Sequence, residues 1–150
     1  MNTLTDDIRK GAEVNKKQKV RRTTAQLPIY RDASNLLFIV IRVMTKAPRK
    51  MTKVLDETVA CGTELCRSLA FANELRGAAR AEAIGIAIAN AYAMNTLVGS
   101  LAFLGIISKE VHKDLKKKLK AIIAQAVGWR ESATQQGRPA SPADTEGGAR

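Results

Sequence analysis

The stretch LPIYRDASNLLFIVIRVMTKAPRK, residues 27–50, decides how the chain folds. Pro28 suits the first turn of a helix, where its missing N–H has no partner to lose. Pro48 disfavours helical backbone at Ala47, so the helix that starts at Pro28 ends there and a second begins beyond it. Between the two prolines, Tyr30, Ala33, Leu36, Leu37, Val40, Ile41 and Met44 share one wide face, as a core-facing helix requires. Arg31, Asn35, Phe38 and Arg42 run along the other side. The turn itself, Lys46-Ala47-Pro48-Arg49-Lys50, concentrates cations at a helix junction, with Lys53 just beyond.

Downstream the helical period continues and no strand pattern interrupts it. A second helix, from about Thr52 to Leu75, buries Leu55, Val59, Gly62, Cys66, Leu69 and Asn73 or their neighbours, and turns Lys53, Glu57, Glu64, Arg67 and Phe71 outward. Cys61 and Cys66 point about 140° apart on such a helix. That suits neither a disulfide nor a shared metal, and both read as small core residues in a reducing compartment. Phe38 and Phe71 are large aromatics on polar faces and mark a subunit or partner interface, with base stacking as the competing use.

The last helix separates its faces most cleanly. Ser108 is an N-cap and Glu110 suits the first turn. Val111, Leu115, Leu119, Ile122, Ala126 and Trp129 form an apolar face on which Trp129 caps the core, and Lys109, Lys113, Lys116, Lys117 and Lys120 form one stripe on the other side. Like-charged neighbours on a helix cost a few tenths of a kcal/mol each. A merely solvated face would mix Glu with Lys, whereas only Asp114 lies near and it turns away. The stripe asks for a polyanion. Lys118, at the edge of the apolar face, snorkels or meets a neighbouring subunit, and His112 reads as a surface residue.

The third helix is the ambiguous one, because the 25 residues from Ala83 to Ile107 carry no charge. That is long enough to cross a bilayer, but Asn90, Asn95, Thr96 and Ser100 sit in mid-span, where polar groups are costly. The alternation Ala83-Ile84-Gly85-Ile86-Ala87-Ile88-Ala89 suggests a strand, yet alanine is the best helix former and a poor strand residue. The favoured reading is a helix enclosed by its own bundle on one side and by neighbouring subunits on another. Its small residues Ala83, Gly85, Ala87, Ala89, Ala91 and Ala93 permit that close approach.

The chain has 150 residues and a net charge of +11. Residues 1–26 hold about +4 of that excess and residues 27–133 about +7, while the remainder is neutral. So large an excess on one small domain points to an anionic partner, nucleic acid first and a membrane surface second. Residues 1–26 and 134–150 have too few large apolar side chains to fold on their own, and read as a disordered basic arm and a disordered tail around a bundle at 27–133. The polar N-terminus lacks a secretory signal, so a cytoplasmic location is expected. No catalytic constellation or phosphate-binding glycine loop is present, so neither an enzyme nor a cofactor is expected.

Several pieces occur in an order that resembles a known family. They are Leu27-Pro28-Ile29-Tyr30, Thr45-Lys46-Ala47-Pro48-Arg49, Ala72-Asn73 with Arg76 and Arg80, Leu104-Gly105-Ile106-Ile107-Ser108, and Val127-Gly128-Trp129. The chain resembles the accessory variability determinant proteins of diversity-generating retroelements, departing from them in its uncharged third helix. The resemblance implies an all-α, antiparallel up-down four-helix bundle assembled into a ring, a homopentamer. It also implies a reverse transcriptase partner, with RNA as the ligand and DNA as a second one in mutagenic retrohoming. Arg49, Lys50 and Lys53 join the lysine stripe as expected nucleic-acid contacts, Arg76 and Arg80 form an expected rim for RNA or polymerase, and Phe38 and Phe71 an expected subunit interface. The alternatives are a four-helix bundle associated with ribosomal RNA intervening sequences, and a small membrane-associated protein anchored by the third helix.

Overall fold

A computed structural model describes residues 23–136. Four helices account for most of them: α1 (Pro28–Lys46), α2 (Thr52–Glu74), α3 (Gly77–Phe103) and α4 (Lys109–Gln136). Two 3-10 turns, Thr24–Gln26 and Arg49–Met51, precede α1 and α2. Among the described residues there is no strand, and the fold is a four-helix bundle. The alternating pattern at Ala83–Ala89 is therefore helical, as alanine's propensity requires.

The proline boundaries act as their chemistry dictates. Pro28 occupies the first turn of α1, and Ala47, ahead of Pro48, is extended with φ −82° and ψ 150°. The last turn, between α3 and α4, is closed by Gly105 at φ +71°. The Gly105 N–H donates to the Ala102 carbonyl at 3.1 Å and the Ile106 N–H to the Leu101 carbonyl at 2.9 Å, which satisfies the last carbonyls of α3. An L-residue held in that left-handed conformation costs about 1–2 kcal/mol, so glycine is the residue this turn requires. The helix consequently stops at Phe103, short of the end of the uncharged run. Ser108 then caps α4, its Oγ accepting from the Val111 N–H at 3.2 Å.

The core is one cluster contributed by all four helices. On α1 it centres on Ile29, Ala33, Leu36 and Val40, with Tyr30, Leu37 and Met44 half-buried; Ile41, expected inside, is exposed because the buried arc is turned toward Ile29. On α2 the buried set is Leu55, Thr58, Gly62, Leu65, Cys66, Ser68, Leu69 and Ala72, so Val59 and Asn73 lie at its margins. Thr58 is tolerated inside because its Oγ1 donates to the Val54 carbonyl at 2.7 Å. At Gly62 an added Cβ would sit 2.9 Å from Leu37 Cδ1 and 3.2 Å from Met94 Cε, so the missing side chain lets α1, α2 and α3 converge. Both cysteines are free. Burial pushes the Cys66 thiol up, partly opposed by a hydrogen bond with Ser34, and burial and then the Glu57 charge push Cys61 up. Both thiols thus stay protonated at neutral pH and are poor nucleophiles.

α3 packs against both α2 and α4, more extensively than any other helix pair does, while α1 packs against α2 and α4. α1 and α3 are therefore the diagonal pair. On α3 the residues Ala83, Ile84, Ala87, Ile88, Ala91, Met94, Val98 and Leu101 are buried. Of the six small residues expected to allow close approach, Ala83, Ala87 and Ala91 pack inside the chain, whereas Gly85, Ala89 and Ala93 do not reach its core. The polar residues of this helix mostly bond to its own backbone: Asn90 Nδ2 donates to the Ile86 carbonyl at 3.0 Å and Ser100 Oγ to that of Thr96 at 3.2 Å. By length and composition alone α3 is also apolar enough to cross a membrane, with a third of its apolar window buried.

The inner ends of both expected tails are ordered. The Thr23 N–H donates to Gln26 Oε1 at 3.1 Å, and Asn73 Nδ2 reaches Thr24 Oγ1 at 3.5 Å, which ties the 3-10 turn to the end of α2. α4 continues through Gln136, and Ala133 near its end is buried. The rest of the expected arm and tail, residues 1–22 and 137–150, lies outside the described residues.

Candidate nucleic-acid interface

α4 turns Leu115, Leu119, Ile122 and Ala126 into the core, which fixes the direction of every other side chain on it. Lys109, Lys113, Lys116, Lys117 and Lys120 are all exposed. Among the described residues none of the five forms an ion pair. Lys118, half-buried at the stripe's edge, does: its Nζ lies 3.2 Å from Asp114 Oδ1. Asp114 faces α1, where it shares a depression with Asp32, Asn35, Lys117 and Lys118, and Asp32 Oδ2 accepts from Gln125 Nε2 at 2.9 Å. Asp114 thus lies on the α1 side and Lys113, Lys116 and Lys120 on the α3 side, with Lys117 between the two.

On the α3 side the stripe borders a groove of about 460 Å³. Lys113, Lys116, Lys117 and Lys120 line it from α4, together with Leu119 and Ile123. Tyr92 and Asn95 line it from α3. Tyr92 is 57% exposed, an aromatic ring held open beside four cations. Sequence reading gave no role to Tyr92 or Asn95, because α3 is apolar all round and no periodicity there shows which side faces α4.

The other expected cations divide between two places. Arg49, Lys50 and Lys53 are exposed around the α1–α2 turn. Val43, Lys46, Ala47 and Pro48 share a depression with Gly105 and Ile106, so this turn lies beside the α3–α4 turn that precedes Lys109. Arg76 and Arg80 are elsewhere. Arg80 Cζ lies 5.6 Å from the Trp129 ring centroid, and Trp129 is about 30 Å along α4 from Lys109 at 1.5 Å per residue. The three junctions therefore do not gather on one rim.

Arg80 is also occupied by the fold. Its Nε donates to the Ala72 carbonyl at 3.0 Å and an NH2 nitrogen to that of Asn73 at 3.3 Å, so the guanidinium caps the C-terminal end of α2 while lying over Trp129. Arg76, by contrast, is exposed. The role of Arg80 was beyond local pattern, since its partner ring is on another helix.

The expected interface aromatics are both outside the core, Phe38 at 62% and Phe71 at 61% exposure. Phe38 edges a groove between α1 and α2 that contains Tyr30, Leu37 and Arg67. The third phenylalanine, Phe103 on α3, is more exposed still at 91%, and Ile86 and Tyr92 accompany it on that helix. No protein-family model matches this chain, and no curated protein or solved structure matches it either.

These bonds separate two arginines that look alike in sequence. Arg80→Ala is expected to cost about 1.5–3 kcal/mol, the range for charge-assisted hydrogen bonds, and to lower the thermal midpoint. Arg76→Ala is expected to leave the midpoint nearly unchanged. Melting followed by circular dichroism checks both, and equal midpoints for the two variants would contradict the capping role.

Proposed function

We propose that this chain is a non-enzymatic nucleic-acid-binding protein whose α4 lysine stripe engages the phosphate backbone. The observation that carries the reading is the run of five exposed lysines along α4 with no ion-pair partner among the described residues. Such clustering opposes folding through mutual repulsion and is relieved by an anion. Spaced phosphates match a row of ammonium groups better than a single small anion does. Arg49, Lys50 and Lys53, beside the turn that leads to Lys109, extend the same cationic surface.

The resemblance to accessory variability determinants gives this reading a setting: a partner of a retroelement reverse transcriptase, working on RNA and, after copying, on DNA. The short connections, the pairing of α1 with α4 and the contact of Asn73 with Thr24 support an antiparallel up-down course. Two separate apolar surfaces support assembly with copies of the same chain. Phe38 and Ile41 are exposed one turn apart on α1, and Ile86 on the diagonal helix α3. Distinct faces on one chain suit head-to-tail contacts, which close into rings, and the pentamer of the resemblance is the ring proposed.

Two results follow. Replacing Lys113, Lys116, Lys117 and Lys120 together by Gln is expected to flatten the salt dependence of RNA binding, by about 0.7 in log–log slope for each phosphate no longer neutralised. The thermal midpoint should hold or rise, because repulsion is relieved. Unchanged affinity and slope would remove α4 as the binding face. In solution the protein is expected to be a closed oligomer that gains the mass of the reverse transcriptase when the two are mixed after nuclease treatment. A monodisperse monomer by light scattering at micromolar concentration would sink the ring, and no mass gain would sink the partnership.

A further inference from the structure

The groove beside the stripe has a chemistry that phosphate binding alone does not use. Its lining is mostly apolar, formed by Leu119, Ile123, Tyr92 and four lysine side chains, Lys113, Lys116, Lys117 and Lys120, whose ammonium groups are exposed and unpaired among the described residues. A double-stranded nucleic acid presents phosphates, sugars and the edges of its bases, but no base faces, because these are stacked inside. A single strand presents phosphates and unstacked base faces together. Aromatic side chains bind those faces without regard to sequence, and cationic grooves follow the backbone beside them.

We propose that this groove between α3 and α4 is a single-stranded nucleic-acid subsite in which Tyr92 stacks against one base while the flanking lysines hold the neighbouring phosphates. The inference rests on the lysine-stripe reading and adds the base as a recognised group. Tyr92 is suited to the role because its ring is already exposed and its backbone belongs to a helix packed on both sides, so little order has to be gained on binding. Asn95, about one helical turn further along α3, lines the same groove and offers an amide donor and acceptor to a base edge. The site needs no particular sequence, because every base has a face to stack.

The test compares three fluorescent probes of equal length: an adenine homopolymer of RNA, the same homopolymer of DNA, and a DNA strand of abasic residues that keeps the phosphates alone. The protein as it exists is expected to bind both base-bearing strands about tenfold more tightly than the abasic strand, a gap within the range of base–aromatic stacking. Tyr92→Ala should close most of that gap on RNA and DNA alike, leave the abasic affinity unchanged and leave the salt slope unchanged. Tyr92→Phe, which keeps the ring, should retain the gap. Equal binding of abasic and base-bearing strands by the unsubstituted protein overturns the subsite while leaving the stripe in place. So does a Tyr92→Ala variant that weakens all three probes equally, since the ring would then only shape the groove. If Tyr92→Ala fails to fold, the abasic comparison and Tyr92→Phe still decide. Failure to bind any of the three probes overturns the lysine-stripe reading itself.

Discussion

Everything that gives this bundle its surface depends on how α3 is held between α2 and α4. From Ala83 onward the helix is uncharged and its few polar residues form no stripe, so it has no preferred inward face of its own, and the faces its neighbours present determine which of its residues disappear. Ala83, Ala87 and Ala91 allow the backbones to approach, Ile84, Ile88 and Met94 fill the space between them, and Gly62 opens the position that Leu37 and Met94 occupy. Burial of each large side chain contributes roughly 1.5–3 kcal/mol, and a one-residue rotation of α3 would exchange Ile84, Ile88 and Met94 for Gly85, Ala89 and Asn95. The orientation that results is also what brings Tyr92 and Asn95 to the groove on α4 and leaves Ile86 and Phe103 outside.

The charges of α4 obey a different constraint. Its apolar face contributes to stability and its lysine face does not. Mixed charges would serve solubility equally well and would add favourable pairs, as Lys118 and Asp114 do at the stripe's edge. The cost of clustering is small, a few tenths of a kcal/mol per neighbour, so a bundle of this size carries it without unfolding. Arg80 shows the contrasting case. Its guanidinium is consumed by the Ala72 and Asn73 carbonyls and by Trp129, so its charge joins two helices and is not displayed.

Local chemistry made much of this legible. Pro28 and Pro48 delimited α1, Ser108 capped α4, and the apolar residues of α4 told core from surface, because each signal acts within one or two turns. The bundle was therefore readable as a bundle. What escaped depended on neighbours. Ile41 lies within helical reach of the buried face of α1, but the packing of α2 and α4 turns that face toward Ile29. Phe103 sits in the last turn of an evenly apolar helix, where no period distinguishes inside from outside. α4 continues to Gln136 through a segment whose composition resembles a tail. Of the candidate site, the five lysines were legible as a stripe, whereas Tyr92 and Asn95 became part of it only when α3 was laid beside α4.

The central claim is that nucleic acid lies along the exposed lysines of α4. Acetylation of lysines in the native protein, read residue by residue by mass spectrometry with and without saturating single-stranded RNA, addresses it directly. The account predicts strong protection at Lys113, Lys116, Lys117 and Lys120, weaker protection at Lys109 and at Lys50 and Lys53, and little change at Lys118, whose ammonium is already paired with Asp114. Unaltered acetylation along α4, with protection confined to lysines elsewhere in the chain, would contradict it.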